Sequence, residues 1–356
     1  MPSKVFFIAA SREESDKSFA EKTAKVFHHL GMEKQIEREH FVGLKIHFGE
    51  KGNTGYIRPP WLAQLIHEIK KKTSRVYITD TNALYVGNRS NAVAHLMLAA
   101  DHGFTIDTLQ IPVIIADGLI GRDDDEVEVD LPRVKTAKHA SAFSNTDFLV
   151  CLSHFTGHIQ TGFGAALKNL GMGCASRSGK LEQHSDVRPW INQKACKNCL
   201  TCMDYCPADA IEGGERSVRI IAEKCIGCGE CLVVCSVGAV KMRWDGDIIR
   251  VQEKMAEYAY SLWKVLNGNI ACLNFLIGVT KNCDCMAMDE PAIVDDIGIL
   301  GSLDPVAVDR ASVDLVNERS RRDLLRDVHN VDWAVQLEHA QQIGLGRMDY
   351  ELIEIV

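Results

Sequence analysis

The chain has no apolar stretch approaching the length of a membrane span and no block of five or more like charges. The first absence argues against a membrane protein. The second, with a net charge of −8, argues against nucleic acid as a partner, because phosphate binding needs a concentrated basic surface. The run Lys70-Lys71-Lys72 closes an expected helix, where lysines suit the negative end of the dipole. No Walker lysine-serine motif and no G-x-G-x-x-G occurs, so nucleotide binding is only weakly indicated. The N-terminal apolar run is too short for a signal peptide and reads as a first strand. With 46% hydrophobic and 25% charged residues the composition is that of a globular protein, and 356 residues favour two or more domains.

What the chain has is cysteine, thirteen in all. Eight fall in two matching runs. Cys196, Cys199, Cys202 and Cys206-Pro207 read C-x2-C-x2-C-x3-C-P. Cys225, Cys228, Cys231 and Cys235-Ser236 repeat that spacing 29 positions later. Ala210-Ile211 returns as Ala239-Val240 at the same interval. This internal duplication is the pattern of a bacterial-type ferredoxin with two [4Fe-4S] clusters. The fourth thiolate of each cluster comes from the other run, so Cys196, Cys199, Cys202 and Cys235 are assigned to one cluster. Cys225, Cys228, Cys231 and Cys206 are assigned to the other. Zinc ribbons need only paired C-x2-C knuckles, and the third and fourth cysteines exceed that requirement. Ser236 in place of the second proline departs from the pattern without touching a ligand. So many cysteines in this pattern mean reduced thiols and metal instead of disulfides, which places the chain in the cytoplasm, and oxygen-sensitive clusters suit an anaerobic host.

Strands and helices alternate outside the module. Strands are expected at Val5–Ala9, Val42–Phe48, Arg75–Thr79, Pro112–Ala116, Phe148–Leu152 and Ala271–Val279. Helices are expected at Lys17–Leu30, Trp61–Lys72, Ala92–Asp101, Val251–Leu266 and Pro305–Arg319. Inside the module, Ser217–Ile221 and Val240–Trp244 read as short strands, the latter turned back by Asp245-Gly246. The fold class is α/β: one mixed or parallel sheet with flanking helices, interrupted by a small α+β ferredoxin-like module. The expected division is a discontinuous scaffold of residues 1–187 and 250–356 around a module of 188–249.

The segments Lys45–Asn53, Thr79–Asn82, Gly162–Gly171 and Asp296–Pro305 resemble the family catalogued as domain of unknown function 362, many members of which carry a ferredoxin. The resemblance covers nearly the whole chain. It implies an iron-sulfur protein of redox character and no more specific activity.

Ligand crevices of open α/β sheets lie at the carboxyl ends of strands, which makes residues there candidates for chemistry. His47 leads into the glycine-rich loop Gly49–Gly55, where backbone amides suit an anion and Lys51 and Arg58 add charge; a plain flexible turn competes with that reading. Asp80, with Thr79, Thr81 and Asn82 around it, is a base, a metal ligand or an N-cap. His154 and His158 follow another strand, in what the glycines Gly157 and Gly162 mark as a loop. Lys168 follows on a helix start, either binding an anion or lying exposed. Cys283 and Cys285 point the same way on an extended segment, so both thiolates can meet one metal or substrate, or both are simply buried. Cys151, Cys174 and Cys272 read as isolated core residues. The face of Met255, Tyr258, Leu262 and Trp263 reads as core packing.

The functional expectation is an oxidoreductase relaying single electrons between a donor or acceptor protein and a small-molecule substrate held on the α/β domain, with homo-oligomerisation compatible. The alternative is a non-catalytic electron carrier or redox-sensing partner protein.

Overall fold

The computed structural model describes residues 1–85, 87–184, 189–206, 208–225, 230–241 and 247–355, with the side chains of 230 and 233 left aside. Cys228, Pro207, Arg188 and the segment 242–246, which holds the end of the expected strand Val240–Trp244 and its Asp245-Gly246 turn, lie outside these residues.

Eight strands form one sheet: β1 (Ser3–Ala9), β2 (Val42–Lys45), β3 (Val76–Asp80), β4 (Val113–Ile115), β5 (Phe148–His154), β6 (Ile270–Leu276), β7 (Gly298–Ser302) and β8 (Tyr350–Glu354). Their order is β8-β1-β7-β6-β5-β2-β3-β4. β7 runs antiparallel to both β1 and β6, and the other neighbours are parallel, so the sheet is mixed. β6, which follows the cysteine runs, pairs with β5, which precedes them, from Ile270 opposite Leu149 to Phe275 opposite His154.

The strands are almost continuously apolar because both faces are covered, as parallel sheets require. Successive side chains alternate between two cores. Leu149 and Cys151 of β5 and Ile270 and Cys272 of β6 join one core; Phe148, Val150 and Leu152, with Ala271, Leu273 and Phe275, join the other. Helices α1 (Asp16–Leu30), α2 (Ala63–Lys70) and α3 (Ala92–Asp101) cover the second face through Phe19, Phe27, Leu65, Ile69 and Ala99. Helices α4 (Ala166–Gly171), α5 (Ile248–Val265) and α6 (Pro305–Ser320) cover the first through Leu167, Met255, Leu262 and Val313. Local chemistry sets the helix limits. Ser15 accepts the Ser18 amide to start α1, and Gly31 ends it at φ 71°. Asp304 caps α6, with Pro305 in its first turn. At Gly171 a Cβ would come within 2.2 Å of the Met255 carbonyl oxygen, so glycine lets α4 and α5 touch backbone to backbone.

Several expected elements change in extent. The strand from Val42 stops at Lys45, which leaves His47 just beyond it. The helix expected from Trp61 opens as a 3-10 turn, Pro59–Leu62, because two prolines occupy its start. The expected strand Ala271–Val279 ends at Leu276, and α5 begins earlier than Val251, where Asp247 caps it. The segment after His154 is not a loop: Thr156–His158 pairs antiparallel with Gly162–Gly164. Cys151 and Cys272 are not isolated, since they are register partners on β5 and β6. Met255, Tyr258 and Leu262 are core residues. Among the described residues no helix is long and apolar enough to cross a membrane.

Candidate functional site

The cysteine runs fold into two small hairpin-like pairings, Trp190–Ile191 with Val240–Lys241 and Ile211–Glu212 with Arg219–Ile220, so only the centre of the expected strand Ser217–Ile221 pairs. Helical turns follow at Thr201–Asp204 and Glu230–Val234. The sequence duplication has a conformational counterpart. The Ala210 amide donates to Cys206 Sγ at 3.2 Å, and 29 residues later the Ala239 amide donates to Cys235 Sγ at 3.1 Å. Asp209 and Gly238, equivalent positions between those partners, both take left-handed φ, 47° and 58°. Cys196, Cys199, Cys202 and Cys235 line one cavity together with Ile191, Leu200 and Val240. Burial pushes the Cys202 thiol up, and Cys235, Cys196 and Cys199 push it further, because thiolates gathered without counter-charge repel one another. Amides also reach the sulfurs from within the loop, as Asn198 does to Cys196 at 3.4 Å. Four soft thiolates around one apolar cavity with N–H donors to sulfur fit the group the spacing implies. Cys225 and Cys231 of the second set are half-buried and buried respectively, and Cys206 is half-buried.

The module rests on the scaffold through Leu84 and Leu181, which share an apolar cluster with Cys202, Ile211, Cys231 and Leu232. Leu84 belongs to the loop after β3, and that loop carries a second, polar assembly at the carboxyl ends of β2, β3 and β5. Asp80 ends β3 and pairs with Lys45 of β2 at 2.9 Å, both side chains being at most 3% exposed. Arg89 Nη1 lies 3.4 Å from the other Asp80 oxygen, and His95 Nε2 lies 3.6 Å from it. Burial alone would raise the Asp80 carboxyl, but Lys45 and then His95 and His47 hold it well below the usual carboxylate range. Asp80 is therefore a fixed anion and not a proton acceptor. Thr81 and Asn82 do not serve it: Thr81 donates to the Gly173 carbonyl, and Asn82 donates to Asp117. Lys45 also donates to Asn169 Oδ1 at 2.7 Å, and Asn169 donates to Ser153 Oγ at 3.1 Å.

Arg89 extends the assembly to Glu50 at 3.3 Å and to the Tyr85 hydroxyl, which donates to the Cys285 carbonyl at 3.1 Å. The loop after β6 thus closes over the glycine-rich loop. Asn53 donates to the Met288 carbonyl, and Thr54 donates to Asp289. Lys51 and Arg58, expected to add charge here, are exposed, and Arg58 lies over the Trp61 ring instead. The cations are Lys45, Arg89 and Lys168.

His47 accepts the Gly49 amide on Nδ1 at 3.0 Å, so its ring proton sits on Nε2, which is buried without a partner among the described residues. Burial, then the charge of Arg89, holds it neutral. His158 accepts the Thr161 amide on Nδ1 at 3.2 Å, and burial with Lys168 beside it likewise keeps it neutral. His154 is the opposite case. Its Nδ1 donates to Asp284 Oδ2 at 2.8 Å and its Nε2 to the Ile277 carbonyl at 2.8 Å. Burial opposes the charge, but Asp284 outweighs it, and the pKa rises. Gly55 fits against this pair, where a Cβ would come within 3.0 Å of Asp284 Oδ1.

Lys168, on α4, lays its stem across Gly164 and donates to Cys283 Sγ at 3.1 Å. It is neither exposed nor an open anion site. Burial would lower its pKa, and the neighbouring thiols Cys283 and Cys285 raise it. The Cys285 thiol, then Lys168, lowers the Cys283 pKa against burial, while Cys285 is pushed up. His47 feels the charges of Asp80 and Lys168, His158 feels that of Lys168, and His154 that of Cys283. Five of the seven expected residues fall into three arms, Asp80 with Lys45 and Arg89, Cys283–Cys285 with Lys168, and His154 with Asp284, while His47 and His158 stand outside these pairs and feel the charges of Arg89 and Lys168. Lys45, Glu50, Tyr85, Arg89, His95, Asn169 and Asp284 belong to the same assembly. Of these, only Lys45, a charge inside an apolar strand, and Asp284, between two cysteines, leave any mark in the sequence.

Comparison with known proteins finds relatives of two kinds. A ferredoxin of Mycobacterium tuberculosis is 34% identical over 74 residues, 20% of this chain and 63% of that protein. The pyruvate synthase subunit PorD of Thermotoga maritima is 39% identical over 65 residues, 18% of this chain and 65% of that protein. This chain thus spans less than two thirds of these curated relatives, and the matched lengths are those of the cysteine module. The lactate racemase apoprotein from Thermoanaerobacterium thermosaccharolyticum superposes with a TM-score of 0.44 at 13% identity, covering 89% of this chain and 57% of that one. A single family model runs from β2 through most of α6, across both the cysteine runs and the sheet on either side of them. The chain belongs to the family described as Domain of unknown function (DUF362), matched over residues 42–314.

Proposed function

We propose that this protein is an iron-sulfur oxidoreductase with two [4Fe-4S] clusters, in which the cysteine module exchanges single electrons with a redox partner and serves a reaction at the carboxyl ends of the sheet. Cys196, Cys199, Cys202 and Cys235 hold one cluster and Cys206, Cys225, Cys228 and Cys231 the other. The observation that carries this reading is the cavity that unites three thiols of one run with Cys235 of the other. When bound, the clusters supply one-electron exchange at low potential. The chain's own residues do the rest. Asp80, Lys45 and Arg89 lock together at the strand ends, and Leu84, close to Asp80 in sequence, seats the module against the site. His47 presents a neutral N–H at the site, His154 with Asp284 fixes the loop after β6, and Lys168 holds the Cys283 sulfur. Burial of these charges strengthens their interactions and keeps water from competing for them.

In this reading residues 1–187 and 250–356 are one scaffold domain and 188–249 an insertion into it; the pairing of β5 with β6 supports that division. Against a carrier without chemistry stands the buried concentration of histidine, lysine and thiol beside the module, which electron carriage alone does not need. Anaerobic iron and sulfide analysis tests the cluster assignment: about eight of each per chain is expected, and about four of each overturns the two-cluster reading.

A further inference from the structure

Cys283 and Cys285 flank Asp284 in the loop after β6. Lys168 Nζ donates to Cys283 Sγ at 3.1 Å, and the Cys285 amide donates to the same sulfur at 3.4 Å. The Cys285 thiol is the largest influence lowering the Cys283 pKa, and Cys285 is itself pushed up. Two N–H donors converging on one sulfur select the thiolate, which accepts them far better than a thiol does. Cys285, pushed up by Cys283 and by burial, stays protonated. One thiolate beside one thiol is the arrangement from which a disulfide forms.

A metal site is the competing use of two such thiols. His154 is the near imidazole, but both its nitrogens are committed, to Asp284 and to the Ile277 carbonyl. The pair also has a connection to the module. Tyr85 donates to the Cys285 carbonyl, and the adjacent residue Leu84 shares the apolar cluster of Cys202 and Cys231.

We propose that Cys283 and Cys285 are a redox-active dithiol that cycles with an intramolecular disulfide and turns single electrons into a two-electron exchange at this site. On oxidation a bond forms between the two sulfurs and the Cys285 S–H bond breaks. Its proton leaves to water, and two electrons leave one at a time to acceptors of the iron-sulfur class; reduction is the reverse. The proposal rests on the electron-transfer reading only for the identity of those acceptors. A disulfide across one intervening residue closes a small strained ring, and strained disulfides are the readily reduced, working ones. Lys168 is a positioning residue that holds the thiolate partner.

The test uses the intact, anaerobically purified chain equilibrated in a series of dithiothreitol redox buffers, then quenched with an alkylating reagent and digested with trypsin. The peptide Asn282–Arg310 contains these two cysteines and no other. At the oxidising end it is expected unlabelled and two hydrogens lighter, and at the reducing end doubly labelled, with a reversible midpoint between. Two labels at every potential, or oxidation only to mixed disulfides or sulfinic acid, overturns the proposal. A reductive titration separates it from the cluster reading: the wild type should take up two more electrons per chain than the Cys283→Ser/Cys285→Ser variant. Equal uptake overturns the dithiol. A wrong cluster count changes both totals and leaves their difference intact.

Discussion

Replacing Asp80 by asparagine keeps the shape of the side chain and removes one charge from the middle of the assembly. Lys45 at 2.9 Å and Arg89 at 3.4 Å then face a neutral amide, with side-chain exposures of 1% and 6%. Solvent cannot compensate at that depth, so the cost is that of an uncompensated buried charge, about 3–5 kcal/mol. Lys45→Met should cost less, because Arg89 and His95 still attend Asp80. The double variant removes both charges and should be more stable than the sum of the single losses, by about 2 kcal/mol. Anaerobic urea unfolding followed by tryptophan fluorescence, read as midpoint shifts at constant slope, measures all three. A loss below about 1 kcal/mol for Asp80→Asn, or strict additivity in the cycle, would refute the assignment of Asp80 as the anchor of the assembly.

Other expectations follow from the same geometry. His154 has a raised pKa, so its contribution is complete below the ordinary histidine value of about 6.5 and is lost as pH rises through the higher folded value; His154→Gln should flatten the alkaline limb of a stability–pH curve. His139 and His184 are buried and depressed to about 4, so they act in the opposite direction: stability should fall as pH drops from about 6.5 toward 4, measurable by the same midpoints. Cys285→Ala should raise the pKa of Cys283, and so reduce its ionisation, more than Lys168→Met does, since the Cys285 thiol is the larger influence; alkylation rates of the 282–310 peptide against pH report the order. Gly171→Ala drives a methyl into the Met255 carbonyl and should destabilise by about 1–3 kcal/mol in thermal unfolding.

The parts legible in sequence were those that repeat or run. The cysteine spacing carries its own register, and the buried strands Val76–Asp80 and Phe148–His154 are apolar runs whatever surrounds them. β7, Gly-Ile-Leu-Gly-Ser, has too few large side chains to stand out, and its Gly301 is small because a Cβ there would come within 2.4 Å of Val26 on α1. The candidate residues were legible as strand-end polar types, but their states were not. Asp80 reads as a base until Lys45 and Arg89 are placed on it, and no spacing says that Lys45, in an apolar strand, or Arg89, after β3, faces it. Lys51 sits in the glycine-rich loop and Arg58 just beyond it, yet both face solvent while Glu50 turns inward. Which side of a turn faces the site depends on backbone geometry that no spacing encodes.

The position of β6 bears on the order of assembly in time. It lies inside the sheet, between β5 and β7, and it is synthesised after every cysteine of the two runs. A growing chain therefore exposes all eight thiols while the sheet still lacks an inner strand, and β1 remains unpaired until β7 emerges. Long-range pairings of this kind form late, and the unpaired strand edges persist meanwhile. Iron delivery thus has an interval on the nascent chain in which the cysteines are reachable and the scaffold cannot yet close. Shortening that interval, or starving it of iron, should lower yield through misfolding of the sheet and not only through loss of metal.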